Sequence, residues 1–195
     1  GGSPLFIASQ EGNLATVKVL IKAGGNVNQA ETTCGASPLY MASQNGHLEQ
    51  VKVLLAAKDI NVNQATDDGC SPLWMASQKG NVDTVKVLIK AGGNVNQART
   101  DGASPLFQAS QNGHLDTVKV LIEADGDVNQ ASNDKYTALG ISSQFGNLEI
   151  VRLLLHQPNI DVNKGAEGWS PLALAIDDNH TEIIQLLTDA GAQDK

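Results

Sequence analysis

Aromatic side chains are scarce in this chain: two tryptophans, two tyrosines and three phenylalanines stand among 195 residues. Rings so few cannot make up a core, so the places where they occur carry information. Cysteine is rarer still, with only Cys34 and Cys70, which excludes the disulfide framework of a small secreted domain. Basic residues are outnumbered, 13 Lys and Arg against 21 Asp and Glu, for a formal net charge of −8. That balance argues against a nucleic-acid partner, because neutralising phosphates needs a basic face. No uninterrupted apolar run approaches the ~18–20 residues of a membrane helix, and no signal peptide opens the chain. An intracellular, cytoplasmic protein without membrane insertion is the expectation. Ligands at zinc spacing are missing, as are a phosphate-cradling glycine loop and a serine or cysteine at a recognisable spacing from a base. The expectation is therefore no catalytic residue, no metal and no cofactor.

What the chain does have is a repeat. The segment from Ser71 to Ala98, SPLWMASQKGNVDTVKVLIKAGGNVNQA, has counterparts along the whole length. Its S/T-x-L opening recurs at Ser3, Ser37, Ser71, Ser104, Thr137 and Ser170, at intervals of 34, 34, 33, 33 and 33 residues. Six units follow, at about 1–36, 37–70, 71–103, 104–136, 137–169 and 170–195. They are read as one domain, because in a periodic array each unit buries its apolar face against its neighbours.

Each unit predicts two helices and a finger. Ser71 supplies an N-cap and Pro72 a first helical residue that needs no donor. Gly80, like Gly12, Gly46, Gly113 and Gly146, ends that helix in the left-handed region, and Asn179 is the best substitute for glycine there. A second helix starts near Asn13, His47, Asn81, His114, Asn147 and His180 and runs through a V-x-x-V-K-V-L-I pattern. On its outer face Glu49/Lys52, Asp83/Lys86, Asp116/Lys119 and Glu149/Arg152 are expected to pair at i,i+3, contributing roughly 0.2–0.5 kcal/mol apiece. The N-V-N-Q-A segment and a few polar residues then make an extended finger with a turn at its tip. In the fifth unit Lys135 holds the place of the finger glycine, which leaves that turn's geometry open. Gly1-Gly2 stand where a finger should lead into Ser3, and no polar N-terminal cap precedes them. The expectation is a chain cut from a longer protein, or one begun by an added double glycine.

A helix-turn-helix and finger every 33 residues, opened by S-P-L and containing G-H-L-x-x-V-x-x-L-L-like stretches, resembles the ankyrin repeat. The resemblance covers essentially the whole chain. It implies an all-α solenoid of stacked helix-turn-helix units with β-turn fingers, a monomeric, non-enzymatic module, and a concave surface of first helices and fingers that grips a protein or peptide. Neighbouring units ~8–10 Å apart keep Cys34 and Cys70 beyond the ~7 Å limit for a disulfide, so both are expected as free thiols in a reducing compartment.

The candidate binding residues lie on that surface. Where the family pattern has histidine, the units carry Phe6, Tyr40, Trp74 and Phe107, then Gly140 and Ala173. In the last two units Tyr136 and Trp169 stand four residues earlier, so every unit supplies one ring to a common stripe. Six units make that stripe about 50 Å long, enough for ~15 residues of extended chain. Flanking it are Gln44, Gln78, Gln111 and Gln144, with Asn45, Lys79, Asn112 and Phe145 beside them. Rings among amides suit a protein partner, and Trp74 and Trp169 are the leading anchors. Acidic fingertips at Asp67, Asp68, Asp101, Asp134 and Glu167 suggest a partner with some positive charge. The opposing reading is that the rings only fill the space between helix and finger. Two other functions remain open: a spacer or spring segment with no ligand, and a substrate of an asparaginyl hydroxylase, because Asn28, Asn96 and Asn129 end N/D-V-N motifs similar to its sites in ankyrin repeats; for those asparagines the favoured reading is structural, an amide that ties finger to backbone.

Overall fold

The computed structural model describes residues 1–166 and 168–193. Six first helices, α1 (Pro4–Gln10), α3 (Pro38–Gln44), α5 (Pro72–Lys79), α7 (Pro105–Gln111), α9 (Ala138–Gln144) and α11 (Pro171–Asp177), form one layer. Their second helices, α2 (Leu14–Lys22), α4 (Leu48–Leu55), α6 (Val82–Lys90), α8 (Leu115–Glu123), α10 (Leu148–Leu155) and α12 (Thr181–Asp189), form the other. Each first helix packs on its own second helix and on the first helices of the units beside it. The arrangement is the expected all-α solenoid.

The local chemistry sets these boundaries. The Ser71 hydroxyl accepts from the Trp74 amide at 3.1 Å, and Ser3, Ser37, Ser104, Thr137 and Ser170 cap their helices in the same way. Such a cap is worth ~1 kcal/mol over alanine. After the helix, Gly80 sits at φ 68° and Asn179 at φ 58°, a left-handed turn that reverses the chain. Glycine has a second reason to be there. A Cβ on Gly80 would stand 2.6 Å from the ring of His114 in the next unit.

That contact reflects a bond that joins units. The Nε2 atoms of His114 and His180 lie 3.0 and 2.9 Å from the backbone oxygens of Gln78 and Gln144, carbonyls that the helix end leaves without an intrahelical partner. Where the unit carries asparagine instead, Asn81 Nδ2 donates to the Ser43 carbonyl at 3.0 Å and Asn147 Nδ2 to that of Ser110 at 2.7 Å. Either residue type serves because both place a donor nitrogen at this reach.

The core is repeated in the same register. Leu39, Leu73, Leu106 and Leu139 of the first helices meet Val51, Val85, Val118 and Val151 and Leu54, Leu88, Leu121 and Leu154 of the second, all sealed from solvent. Neighbours close this core. Pro4, Ile7 and Thr16 of the first unit are exposed, whereas their counterparts Pro72, Met75 and Thr84 are buried by the preceding unit.

The fingers are turns linked one to the next by single backbone bonds. Asp67 N donates to Cys34 O, Thr100 N to Asp68 O and Asn133 N to Asp101 O, at 2.8–2.9 Å. Lys135 takes up the glycine conformation at φ 71°, against 82° for Gly102, so the fifth finger turns as the others do. Below the fingers runs a ladder of asparagines. Asn63 Nδ2 donates to Gly92 O at 3.0 Å while its Oδ1 accepts from Asn94 N at 2.8 Å. Asn28, Asn96 and Asn129 make the same two-way clamp. On the outer face the four expected ion pairs form, at 2.7 Å for Lys52–Glu49, 3.1 Å for Lys119–Asp116, 3.8 Å for Arg152–Glu149 and 3.9 Å for Lys86–Asp83.

Candidate protein-binding surface

The rings carried by first helices and the rings carried by fingers end up in different places. Phe6, Tyr40, Trp74 and Phe107 occupy the first turn of their helices, from which the side chain meets the finger wall. Trp74 is only 1% exposed. Its indole N–H donates to the Ala103 carbonyl of the next finger at 2.8 Å, and the Arg99 guanidinium, paired with Asp101, lies 5.3 Å from its ring centroid. Cys70 and Met75 pack around it, with half-buried Tyr40 against the group. Phe107 is enclosed in the same manner by Ala103 and Ile141, and Phe6 is buried against Gly2. The expectation that Trp74 is an exposed anchor is thus corrected. Trp74 and Phe107 fill the space between helix and finger, Phe6 is buried as well, and the burial of Tyr40 raises its phenol pKa above the usual value.

The two finger-borne rings differ: Tyr136 is half-buried against Ala103, Phe107 and Ile141, whereas Trp169 stays at the surface. Trp169 is 47% exposed, and Tyr136 meets it edge to face, with centroids 6.3 Å apart and planes at 64°. Phe145, just past the end of α9, is 54% exposed. The free aromatic surface therefore lies over the fifth and sixth units.

The amides have mostly structural employment. Gln44, Gln78, Gln111 and Gln144 are half-buried, and their backbone oxygens receive the bridging asparagines and histidines of the following units. Gln111 also accepts from Gln108 at 2.9 Å. Asn45 and Asn112 are exposed but donate to the Gln10 and Gln108 carbonyls, and Lys79 is exposed. Two fingertip acids are engaged within their own fingers. The Thr66 hydroxyl, with the Cys70 thiol behind it, holds the Asp68 carboxyl below its usual pKa. Arg99, with the Ala103 amide at 3.0 Å, does so for Asp101. Asp67 and Asp134 are exposed; Glu167 lies outside the described residues.

One residue of this surface is absent from the sequence reading. Ile176 stands where the other units have Ser9, Ser43, Ser77, Ser110 and Ser143, all fully buried, yet it is 43% exposed. With Gly168, Trp169, Ala173 and Asp177 it lines a hollow of about 220 Å³. The signal was present in the register of the units: a large apolar side chain at a position otherwise occupied by a small polar one.

Trp169 and Ile176 offer exposed apolar surface in a hollow that Asp177 also lines, and Phe145 is exposed separately past the end of α9. Among the described residues no three His, Cys, Asp or Glu side chains are grouped to hold a metal, and no helix is long and apolar enough to cross a membrane. Both cysteines are free. A family model described as ankyrin repeats (three copies) matches residues 1–66, 58–131, 76–166 and 106–195, overlapping spans that together run the length of the chain. No curated protein matches it significantly.

Proposed function

The chain belongs to the ankyrin repeat family, whose repeats are generally protein-interaction modules, and from that premise we propose that it binds a protein or peptide through its first helices and fingers. Contact centres on the fifth and sixth units and involves no catalysis. The observation that carries this reading is Trp169, half-exposed and braced by Tyr136 beside the exposed Ile176. Tryptophan and tyrosine dominate the energetics of protein interfaces, and grouped apolar surface on a soluble protein marks recognition. The chain acts as a monomer in this scheme, and its two free thiols suit a reducing, intracellular compartment.

The buried rings of the first four units are what a plain spacer would show. Trp169 and Phe145 are not, because a spacer gains nothing from exposed rings. The asparagine clamps likewise speak for a structural role of Asn28, Asn96 and Asn129 rather than for a modification site, since their amides are bonded at both ends.

A displayed library of random dodecapeptides, selected on the 195-residue chain, tests the proposal. Trp169→Ala should weaken the retained peptides by ~2 kcal/mol or more, about 30-fold, with little change in thermal unfolding. Peptides that bind the variant as well as the parent would sink the reading.

A further inference from the structure

Trp74 and Trp169 differ in what lies over them. Trp74 is covered from the finger of the next unit by Arg99, whose guanidinium stacks on the indole and pairs with the Asp101 carboxylate. Cation, ring and acid form a closed set. At the sixth unit the ring and the acid are present: Trp169 and Asp177 line the same hollow. Among the described residues no cation is stacked on Trp169, where the third unit has Arg99 on Trp74.

Resting on the proposed function, we propose that this hollow receives an arginine side chain from a basic segment of the protein partner. Its guanidinium stacks on the Trp169 indole and pairs with Asp177, as Arg99 does with Trp74 and Asp101. Two observations and the chemistry of guanidinium favour arginine. Ala173 and exposed Ile176 provide an apolar floor, which suits the aliphatic stem of a long cationic side chain. Asp177 and Asp178 are both exposed at the end of α11, in a chain of net charge −8, so a basic segment is drawn to this end. Guanidinium is more weakly hydrated than ammonium, stacks flat on an indole and can meet a carboxylate with two parallel bonds. Lysine offers only the point charge.

Dodecapeptides retained by the chain and dependent on Trp169 supply the probe. Each is resynthesised with its arginine replaced by citrulline, which keeps shape and removes charge, or by lysine. Citrulline should weaken binding about tenfold or more and lysine about threefold or more. Asp177→Asn should weaken the arginine peptide about fivefold and leave the citrulline peptide unchanged, with the salt dependence reduced. Asp177 is exposed, so the variant keeps the fold. Trp169-dependent peptides that lack arginine, or that bind equally with citrulline, would overturn the arginine assignment while leaving the proposed function standing. Peptides indifferent to Trp169→Ala would remove both.

Discussion

Cys34 and Cys70 stand in neighbouring fingers and differ as chemical groups. Cys34 is exposed, whereas Cys70 is buried against Trp74 and Met75, and burial with the nearby Asp68 charge pushes its thiol pKa up to about 11. Thiolate is the reactive form. Ellman's reagent at pH 8 should therefore titrate one thiol in the native protein and two in denaturant; two fast thiols in the native state would place Cys70 at the surface. Lys135 shows a different strain. An L-residue in the left-handed region costs roughly 1–2 kcal/mol, and the other finger turns place glycine there at Gly69 and Gly102. Lys135→Gly should raise the thermal midpoint by about 2–4 °C, and a fall would show that the lysine side chain contributes something the backbone angle hides. The aromatic residues mark where a sequence reading stops. Two ring-bearing positions four residues apart were legible as one stripe, but not as positions of unequal burial. The exposure of Trp74 is decided by Arg99 and Ala103, some 29 residues on along the chain for the Ala103 hydrogen bond. Trp169 and Phe145 escape such a cover.

At the scale of the element, the helix ends and turns were readable because each is governed by two or three adjacent residues. Ser-Pro openings, positive-φ glycines and i,i+3 charge pairs all appear where the pattern puts them. The clamps between elements were less legible, because the asparagine of one unit and the backbone it serves lie about 30 residues apart. These clamps outweigh the visible charge pairs. Asn63→Ala removes two hydrogen bonds and should lower stability by about 1–2 kcal/mol. Lys86→Ala, losing an exposed pair at 3.9 Å, should cost less than about 0.5 kcal/mol. Equal losses in urea unfolding would contradict the ranking.

At the scale of the whole molecule, six units share one continuous core but not one surface. The first five units place a fully buried serine at Ser9, Ser43, Ser77, Ser110 and Ser143, while the sixth carries exposed Ile176 at that place. Repetition made the fold readable from one segment, and departures from repetition mark the surface proposed for contact. Trp169, Phe145 and Ile176 are such departures. If one tryptophan braces the array and the other meets the partner, the two indole N–H resonances of the ¹⁵N-labelled protein will behave differently. The Trp74 signal, bonded to Ala103, should resist exchange with deuterium and stay fixed when a selected dodecapeptide is added. The Trp169 signal should exchange at once and move on binding. Rapid exchange at both indoles, or a peptide that moves Trp74 and leaves Trp169 in place, would contradict it.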